Sequence, residues 1–219
     1  MKLNEIFLLI KVIFNSSIDS YPPKNIKLLI FDGESVGELR NVLSGFKYFI
    51  LETRFHRIKK FYINRNIIFS IIRNYKKNLF DAYLLSLIDE IKPKVIFTFI
   101  DNSHKFTEFS LNRKNQYNFV ALQNGARYEH KITNKLLKKK IKINFKKFNI
   151  PNFLCFGENE VKDYKINNQH IKNFFKVGSL RLSNYLFFKN KNKIKIKKKL
   201  FDILLISDVN CWDEILNKL

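Results

Sequence analysis

The chain has 219 residues, 46% of them hydrophobic, which is enough for one domain with a buried core or for one domain and part of another. Its formal charge of +22 at pH 7 points to nucleic acid or an anionic membrane surface as partners. Lysine outnumbers arginine by 33 to 8, a bias that an AT-rich coding sequence would produce, so we expect most of this charge on solvated faces.

The cysteines and the apolar runs favour a cytoplasmic protein. Cys155 and Cys211 have neither metal-ligand spacing nor a disulfide framework around them, which predicts buried, reduced cysteines. No stretch reaches the ~20 apolar residues that span a bilayer. Residues 6–14 (IFLLIKVIF) contain Lys11 and lack a small-residue cleavage site, so they predict a packed helix rather than a signal peptide. The alternative for this helix is a peripheral contact with the inner membrane face.

Short apolar runs alternate with helical patterns along the chain. This alternation predicts an α/β fold, a Rossmann-like and mostly parallel sheet with helices on both faces. The strands are expected to be continuous apolar runs because both faces of such a sheet are buried. The predicted strands are residues 26–31, 48–51, 61–63, 94–100, 119–122, 153–156, 174–177 and 201–206.

The helices between these strands carry start and stop signals. Asn64 is placed to cap a helix over residues 65–75, and Pro93 ends a helix over residues 79–91. The lysine-dense residues 135–147 predict an exposed helix end or loop. Further helical stretches are predicted over residues 36–43, 105–114 and 159–165.

The distribution of charge predicts a domain boundary near the end of the chain. Residues 1–24 form the N-terminal helix and its connection, and residues 25–188 form the Rossmann-like domain. The lysine-rich residues 189–200 predict a linker, and residues 201–219 the start of a truncated second Rossmann-like domain. This last prediction rests on size, since one strand and half a helix cannot bury their own apolar faces. The alternative is that the strand joins the first sheet.

Polar side chains directly follow six of the predicted strands. In a parallel sheet these strand ends meet at one edge, where the connecting loops leave a crevice for ligands. Carboxylates, amides, arginines and one histidine together suit a polar ligand. The sets are Asp32 with Glu34, Glu52 with Arg54, Asp101 with Asn102 and His104, Gln123 with Asn124 and Arg127, Gly157 with Glu158, and Ser179 with Arg181.

Two of these residues are candidates for catalysis. His104 is the best general base by its ordinary pKa, the alternative being a surface histidine that caps the next helix. Glu34 is the second candidate, on its strand-end position alone. Asp32, Gly33, Asp101 and Asn102 are expected to bind substrate beside them.

Two glycine-bearing turns are candidates for ligand binding. Residues 118–127 (NFVALQNGAR) predict a buried strand followed by a polar turn in which Gly125 permits close backbone approach; the alternative is an ordinary Asn-Gly turn with a solvated Arg127. Gly178 and Ser179 lie at a strand-to-helix turn whose N–H groups would suit a phosphate. The sequence lacks the GxGxxG motif of nicotinamide enzymes, the Walker motif of P-loop nucleoside triphosphatases and the GxSxG motif of serine hydrolases, which disfavours these three classes. It also lacks zinc-ligand spacing, which disfavours a metal site.

Four segments together resemble a protein family: FDGES at 31–35, LQNGAR at 122–127, FLCFGENE at 153–160 and KVGSLRLSNY at 176–185. They look like bacterial surface carbohydrate biosynthesis proteins, which are similar to GT-B glycosyltransferases and to CDP-glycerol glycerophosphotransferases. The resemblance covers residues 26–207 and is most specific in the QNG turn with its arginine and in the strand-GS-x-R turn.

The resemblance implies two Rossmann-like domains that face each other across a cleft, the first taking the acceptor and the second a nucleotide-activated sugar or CDP-glycerol-like donor. Most of the donor domain is missing from these 219 residues. The family motifs support a cleft role for a set of residues within two turns: Gln123, Asn124, Gly125, Arg127, Gly178, Ser179 and Arg181.

The expected function is therefore the N-terminal, acceptor-binding portion of a metal-independent transferase that builds surface polysaccharide. Its partner would be a carbohydrate or lipid-linked acceptor, and no specific nucleic acid is expected. One alternative is a non-catalytic basic module that binds RNA or an anionic membrane, although no aromatic-rich RNA-binding motif is present. Another is a degenerate gene product without activity.

Overall fold

The structure, a computed structural model, describes residues 16–75, 78–125, 149–166 and 170–191. These residues contain eight β-strands, five α-helices and two short 3-10 helices, Val36–Leu39 and Phe55–Arg57. The strands are β1 Ser17–Asp19, β2 Leu28–Phe31, β3 Tyr48–Leu51, β4 Lys60–Tyr62, β5 Val95–Thr98, β6 Asn118–Leu122, β7 Asn149–Cys155 and β8 His170–Lys176. The α-helices are α1 Arg65–Asn74, α2 Leu79–Ile91, α3 His104–Arg113, α4 Glu158–Ile166 and α5 Leu180–Lys191.

The main sheet has six strands in the order β3-β2-β5-β6-β7-β8, and every pair of neighbours is parallel. The predicted α/β, Rossmann-like fold is thus confirmed. Because all six strands run the same way, their C-terminal ends meet at one edge of the sheet. The predicted convergence of the strand ends follows from this geometry.

The larger apolar core lies on one face of the sheet. Leu29 and Phe31 of β2 point to this face because side chains alternate along a strand. The Phe31 ring makes edge contacts with Phe106 and Phe109 of α3, at centroid distances of 5.4 and 5.5 Å. Together with α3, helices α1, α2 and α4 cover this face of the sheet. Their buried members are Ile67, Tyr83, Leu84, Leu87, Ile88, Val161 and Tyr164.

A smaller core lies on the opposite face, where Ile30 of β2 packs with Leu39, Leu43, Phe99 and Leu122. The residue that begins α5, Leu180, packs against this cluster. The sheet is therefore covered on both sides, as buried parallel strands require.

Helix boundaries follow local signals in the sequence. Asn64 caps α1 as predicted, since its Oδ1 accepts a hydrogen bond from the Ile67 N–H at 2.9 Å. Helix α2 matches its predicted range, and Lys92 closes it in the left-handed region with φ of 52° before Pro93. The predicted helix over residues 36–43 is only a 3-10 helix of four residues, Val36–Leu39.

The predicted third strand is displaced from the main sheet. It spans Lys60–Tyr62 and pairs in parallel with β1, a strand that the sequence patterns did not predict. Both strands have only three residues and are partly exposed, so neither shows the continuous apolar run of a core strand. Strands β7 and β8 begin four residues before their predicted starts. The prediction began too late because the first halves of both strands carry polar side chains and show no apolar run.

The chain divides after Asn184 into two compact units, Met1–Asn184 and Tyr185–Leu219. In the second unit the structure describes the end of α5, where the rings of Phe187 and Phe188 lie 6.1 Å apart. The predicted N-terminal helix, residues 135–147, most of the linker and the strand at 201–206 lie outside the described residues, and the domain boundaries stay predictions. Among the described residues, no helix is long and apolar enough to cross a membrane.

Candidate functional site

The order of the strands identifies one position on the sheet where a ligand crevice is expected. The chain passes from β2 to β3 on one side and later returns as β5 on the other side of β2. At such a reversal the loops that leave β2 and β5 diverge, which opens a crevice at the C-terminal ends of the two strands. Thr98 joins these ends, since its hydroxyl donates to the Phe31 carbonyl oxygen at 2.9 Å and accepts from the Ile100 N–H at 3.0 Å.

Asp32 is the first residue after β2 and the centre of a hydrogen-bond network. It is 5% exposed and has a left-handed backbone, with φ of 76°. Its Oδ1 accepts from the Glu34 N–H at 2.9 Å, and its Oδ2 accepts from the Thr53 hydroxyl at 2.8 Å and from Arg54 Nε at 3.3 Å. Through these bonds Asp32 holds the loops after β2 and β3 together.

Glu34, a predicted catalytic residue, lies in the same cluster and is paired with two arginines. Its Oε2 lies 2.8 Å from an Arg54 nitrogen and 2.5 Å from an Arg57 nitrogen. Both guanidinium groups come from the segment that follows β3, and both are more than a third exposed. The loop ends thus combine carboxylates with cations that can still reach a ligand.

Glu52, directly after β3, is the carboxylate that this cluster holds least firmly. Its side chain lies so close to Gly33 that a Cβ on that glycine would stand 2.8 Å from Glu52 Cδ. Its Oε2 is buried without a hydrogen-bond partner. Burial raises the pKa of Glu52 above its usual value of 4.5, and the charge of Asp32 raises it further, against the opposing effects of the Gly33 N–H, Arg57 and Arg54.

Sequence reasoning named Glu52 as a strand-end residue but gave it no role. The signal was an acid directly after an apolar strand, the same signal that selected Asp32. Only the structure shows that Glu52 packs on Gly33 and lines a cavity of about 260 Å³ beside Tyr62 and Tyr83. The sequence does not predict this contact because Gly33 and Glu52 follow different strands, and no local pattern relates the two positions.

The loop after β5 lies beside this cluster. Asp101 is buried and Asn102 is exposed. The cap of α3 is Ser103, whose hydroxyl accepts from the Phe106 N–H at 3.2 Å. The alternative prediction that His104 caps this helix is therefore wrong: His104 is its first residue and is exposed. Its role as a general base stays a prediction.

Gln123, directly after β6, connects two loops. It is 1% exposed, its Nε2 donates to the Gly125 carbonyl oxygen at 3.1 Å, and its Oε1 accepts from the Phe156 N–H at 3.0 Å. These bonds make Gln123 a residue that positions the turn, while Asn124 and Gly125 are partly exposed. Arg127 lies outside the described residues.

The turn after β8 and the start of α5 bring a cation to the switch point. Gly178 has φ of 77°, a conformation that favours glycine, and the Ser179 hydroxyl accepts from the Leu182 N–H at 3.4 Å. The Arg181 guanidinium lies 5.7 Å from the centre of the Phe99 ring, and its Nε is 3.7 Å from a Glu38 carboxylate oxygen. Because β8 is the far edge strand, only the tertiary structure brings Arg181 to the loops that follow β2 and β5.

The site offers hydroxyl-binding carboxylates and anion-binding cations. Arg54, Arg57 and Arg181 can hold a phosphate or a carboxylate, and Glu52 can accept a proton or a hydroxyl hydrogen bond. Among the residues that the structure describes, no group of three or more His, Cys, Asp or Glu side chains is arranged to hold a metal ion.

A larger cavity, of about 980 Å³, lies at the opposite edge of the sheet. It surrounds an internal network in which Arg113 pairs with Asp89 at 3.2 Å and the Tyr117 hydroxyl donates to the same carboxylate. Burial, and then the Asp89 charge, raise the pKa of Tyr117 to about 12. The strand-end residues and the switch point coincide at the C-terminal edge instead, which makes that edge the candidate site.

No protein family, curated protein or solved structure matches this chain. The fold is therefore established by its own geometry, as an α/β protein with an all-parallel six-stranded sheet. The resemblance to surface carbohydrate biosynthesis proteins rests on the four sequence segments alone.

Proposed function

We propose that the chain is the acceptor-binding portion of a GT-B-like glycosyl- or glycerophosphotransferase of surface polysaccharide biosynthesis. The observation that carries the proposal is the cluster of carboxylates and arginines at the switch point of a parallel sheet. The motif resemblance supports the same class. The donor is a nucleotide-activated sugar or a CDP-glycerol-like compound, and the acceptor is a carbohydrate or a lipid-linked saccharide.

In this proposal Glu52 deprotonates the acceptor hydroxyl. Asp32 accepts three hydrogen bonds through its two oxygens, and Glu34 Oε2 forms ion pairs with Arg54 and Arg57. Glu52 has a buried oxygen without a hydrogen-bond partner and a raised pKa, which suits a proton acceptor. His104 is the other candidate base, and Arg54 and Arg57 would stabilise negative charge on a phosphate.

The proposal is tested by locating ligand binding on the sheet. Amide chemical shifts of the isotope-labelled chain are followed by NMR during titration with glycerol 3-phosphate, glucose, CDP-glycerol and UDP-glucose. The expected result is a set of shifts at Gly33, Glu52 and Asp101 for at least one probe. Shifts confined to Lys92 and Gln116 at the opposite cavity, or no shifts with any probe, would refute the proposal.

A pair of glycine variants provides the control. Gly33→Ala forces the Glu52 carboxyl group away from its position, because the added Cβ would overlap it, and should weaken binding roughly tenfold. Gly37→Ala adds the same methyl group where nothing lies within 4 Å, and should leave binding unchanged. Equal effects of the two changes would argue against a role for Glu52.

The charge of +22 favours a second candidate, a non-catalytic module that binds RNA. Binding through several phosphates weakens steeply as salt rises from about 50 to about 200 mM, whereas binding of an uncharged sugar does not. Titration of a single-stranded RNA at both salt concentrations therefore separates the two functions.

A further inference from the structure

Helix α1 presents an apolar stripe to solvent. Its inward side is formed by Ile67, which is fully buried, and by Ile71, which packs on the main core. On the outer side Ile68, Phe69 and Ile72 are 47%, 58% and 68% exposed. Ile68 and Phe69 lie four and three positions before Ile72, and residues at these spacings are neighbours on a helix surface, so the three side chains form a continuous stripe.

Positive charge flanks this stripe and negative charge is absent from the helix. Arg65 and Arg73 are the charged residues of α1, whose sequence RNIIFSIIRN contains neither Asp nor Glu. The Arg65 guanidinium lies 5.5 Å from the centre of the Phe69 ring, so the positive charge is next to the exposed apolar stripe. Lys76 and Lys77 follow the helix in the sequence.

We propose that α1 docks on an anionic lipid surface, lying in the plane of the membrane interface. Apolar side chains next to arginines on a surface helix are the pattern of interfacial helices, in which the apolar residues enter the lipid boundary and the cations bind headgroups. This surface differs from residues 6–14, the segment for which the sequence suggests a peripheral membrane contact as an alternative. The inference does not depend on the proposed transferase activity.

The charge and the side-chain types of this surface favour the membrane over two other binding partners. A second copy of the chain related by two-fold symmetry would place the same patch against itself, which brings Arg65 and Arg73 near their own copies without any acid on the helix. A single-stranded nucleic acid would require aromatic stacking platforms, whereas the stripe has two isoleucines and one phenylalanine.

The test is sedimentation of the full chain with vesicles. Vesicles of phosphatidylglycerol and phosphatidylcholine in equal parts should bind the protein, and vesicles of phosphatidylcholine alone should bind it much less. Each arginine at an anionic surface contributes a factor of about five, so Arg65→Gln with Arg73→Gln should lower partitioning about 25-fold.

The apolar part is tested with a matched control. Phe69→Ser with Ile72→Ser should lower partitioning to the same vesicles at least roughly tenfold. Phe46→Ser removes a ring that is 65% exposed on another segment and should leave partitioning unchanged. Urea unfolding of each variant checks that the fold is retained, as expected for exposed positions.

A third variant separates α1 from the N-terminal segment. Leu8→Asp with Leu9→Asp interrupts the apolar run at residues 6–14. The proposal expects these changes to leave most of the binding intact. Binding lost in this variant but kept in Phe69→Ser with Ile72→Ser, or equal binding to both kinds of vesicle, would overturn it.

Discussion

At the scale of single residues, Glu52 is a strand-end carboxylate whose burial is unfavourable for stability. Its carboxyl group is partly buried beside Asp32, and one of its oxygens has no hydrogen-bond partner. An ionised carboxylate in that position opposes folding, because burial removes its hydration. The ionised form of Glu52 therefore lowers the stability of the folded chain.

This situation predicts a pH dependence for Glu52→Gln. Because the folded-state pKa of Glu52 is raised above 4.5, the folded chain binds more protons than the unfolded chain in the pH range above 4.5. The contribution of Glu52 to stability therefore falls as pH rises from 4.5 through the raised pKa. Glu52→Gln removes this decline, so its stability relative to the parent should increase over that range, as measured by urea unfolding.

Glu158→Gln provides a control of opposite sign. The Lys176 ion pair, at 2.8 Å, lowers the pKa of Glu158, so this carboxylate contributes stability that is present above its usual pKa and lost as pH falls. Its replacement should lose stability relative to the parent as pH rises. The same pH trend in both variants would contradict the interpretation of Glu52.

At the scale of elements, Thr98 joins β2 to β5 at the C-terminal edge of the sheet. Thr98→Val keeps the shape of the side chain but leaves the Phe31 carbonyl oxygen and the Ile100 N–H without their partner. Buried polar groups that lose a hydrogen bond cost about 1–3 kcal/mol, so the free energy of unfolding should fall by about that amount. Urea unfolding measures it.

Thr107→Val is the matched control for Thr98→Val. The Thr107 hydroxyl is buried without a hydrogen-bond partner, so replacing it with a methyl group removes an unsatisfied polar atom. This variant should be as stable as the parent or more stable. If Thr107→Val lost as much stability as Thr98→Val, the stability loss in Thr98→Val could not be assigned to its hydrogen bonds.

The elements differed in how well their sequence predicted them. Strand β3 and helix α2 match their predicted ranges, since a short apolar run and a capped, Pro-ended helix are strong local signals. Strands β1 and β4 were missed or misplaced, because three partly exposed residues carry no such signal. The position of β4 is decided by tertiary contacts, including the Tyr83 hydroxyl that accepts from the Tyr62 N–H at 3.0 Å.

At the scale of the whole molecule, the net charge of +22 opposes the compact state through self-repulsion. Salt screens this repulsion, so the midpoint of thermal unfolding should rise between about 20 and about 200 mM NaCl. Sucrose at matched osmolality is the comparison for non-ionic effects. A midpoint that falls with salt would indicate that the ion pairs of the folded chain outweigh the repulsion.

The sequence by itself determined the class of the fold and the edge of the sheet where polar residues gather. Both follow from local causes: apolar runs form buried strands, and the residues after them lie at the strand ends. The tertiary structure alone decided which of these residues lie together. It placed Glu52 against Gly33 and Arg181 beside Phe99, because strand order and helix packing join positions that are far apart in the chain.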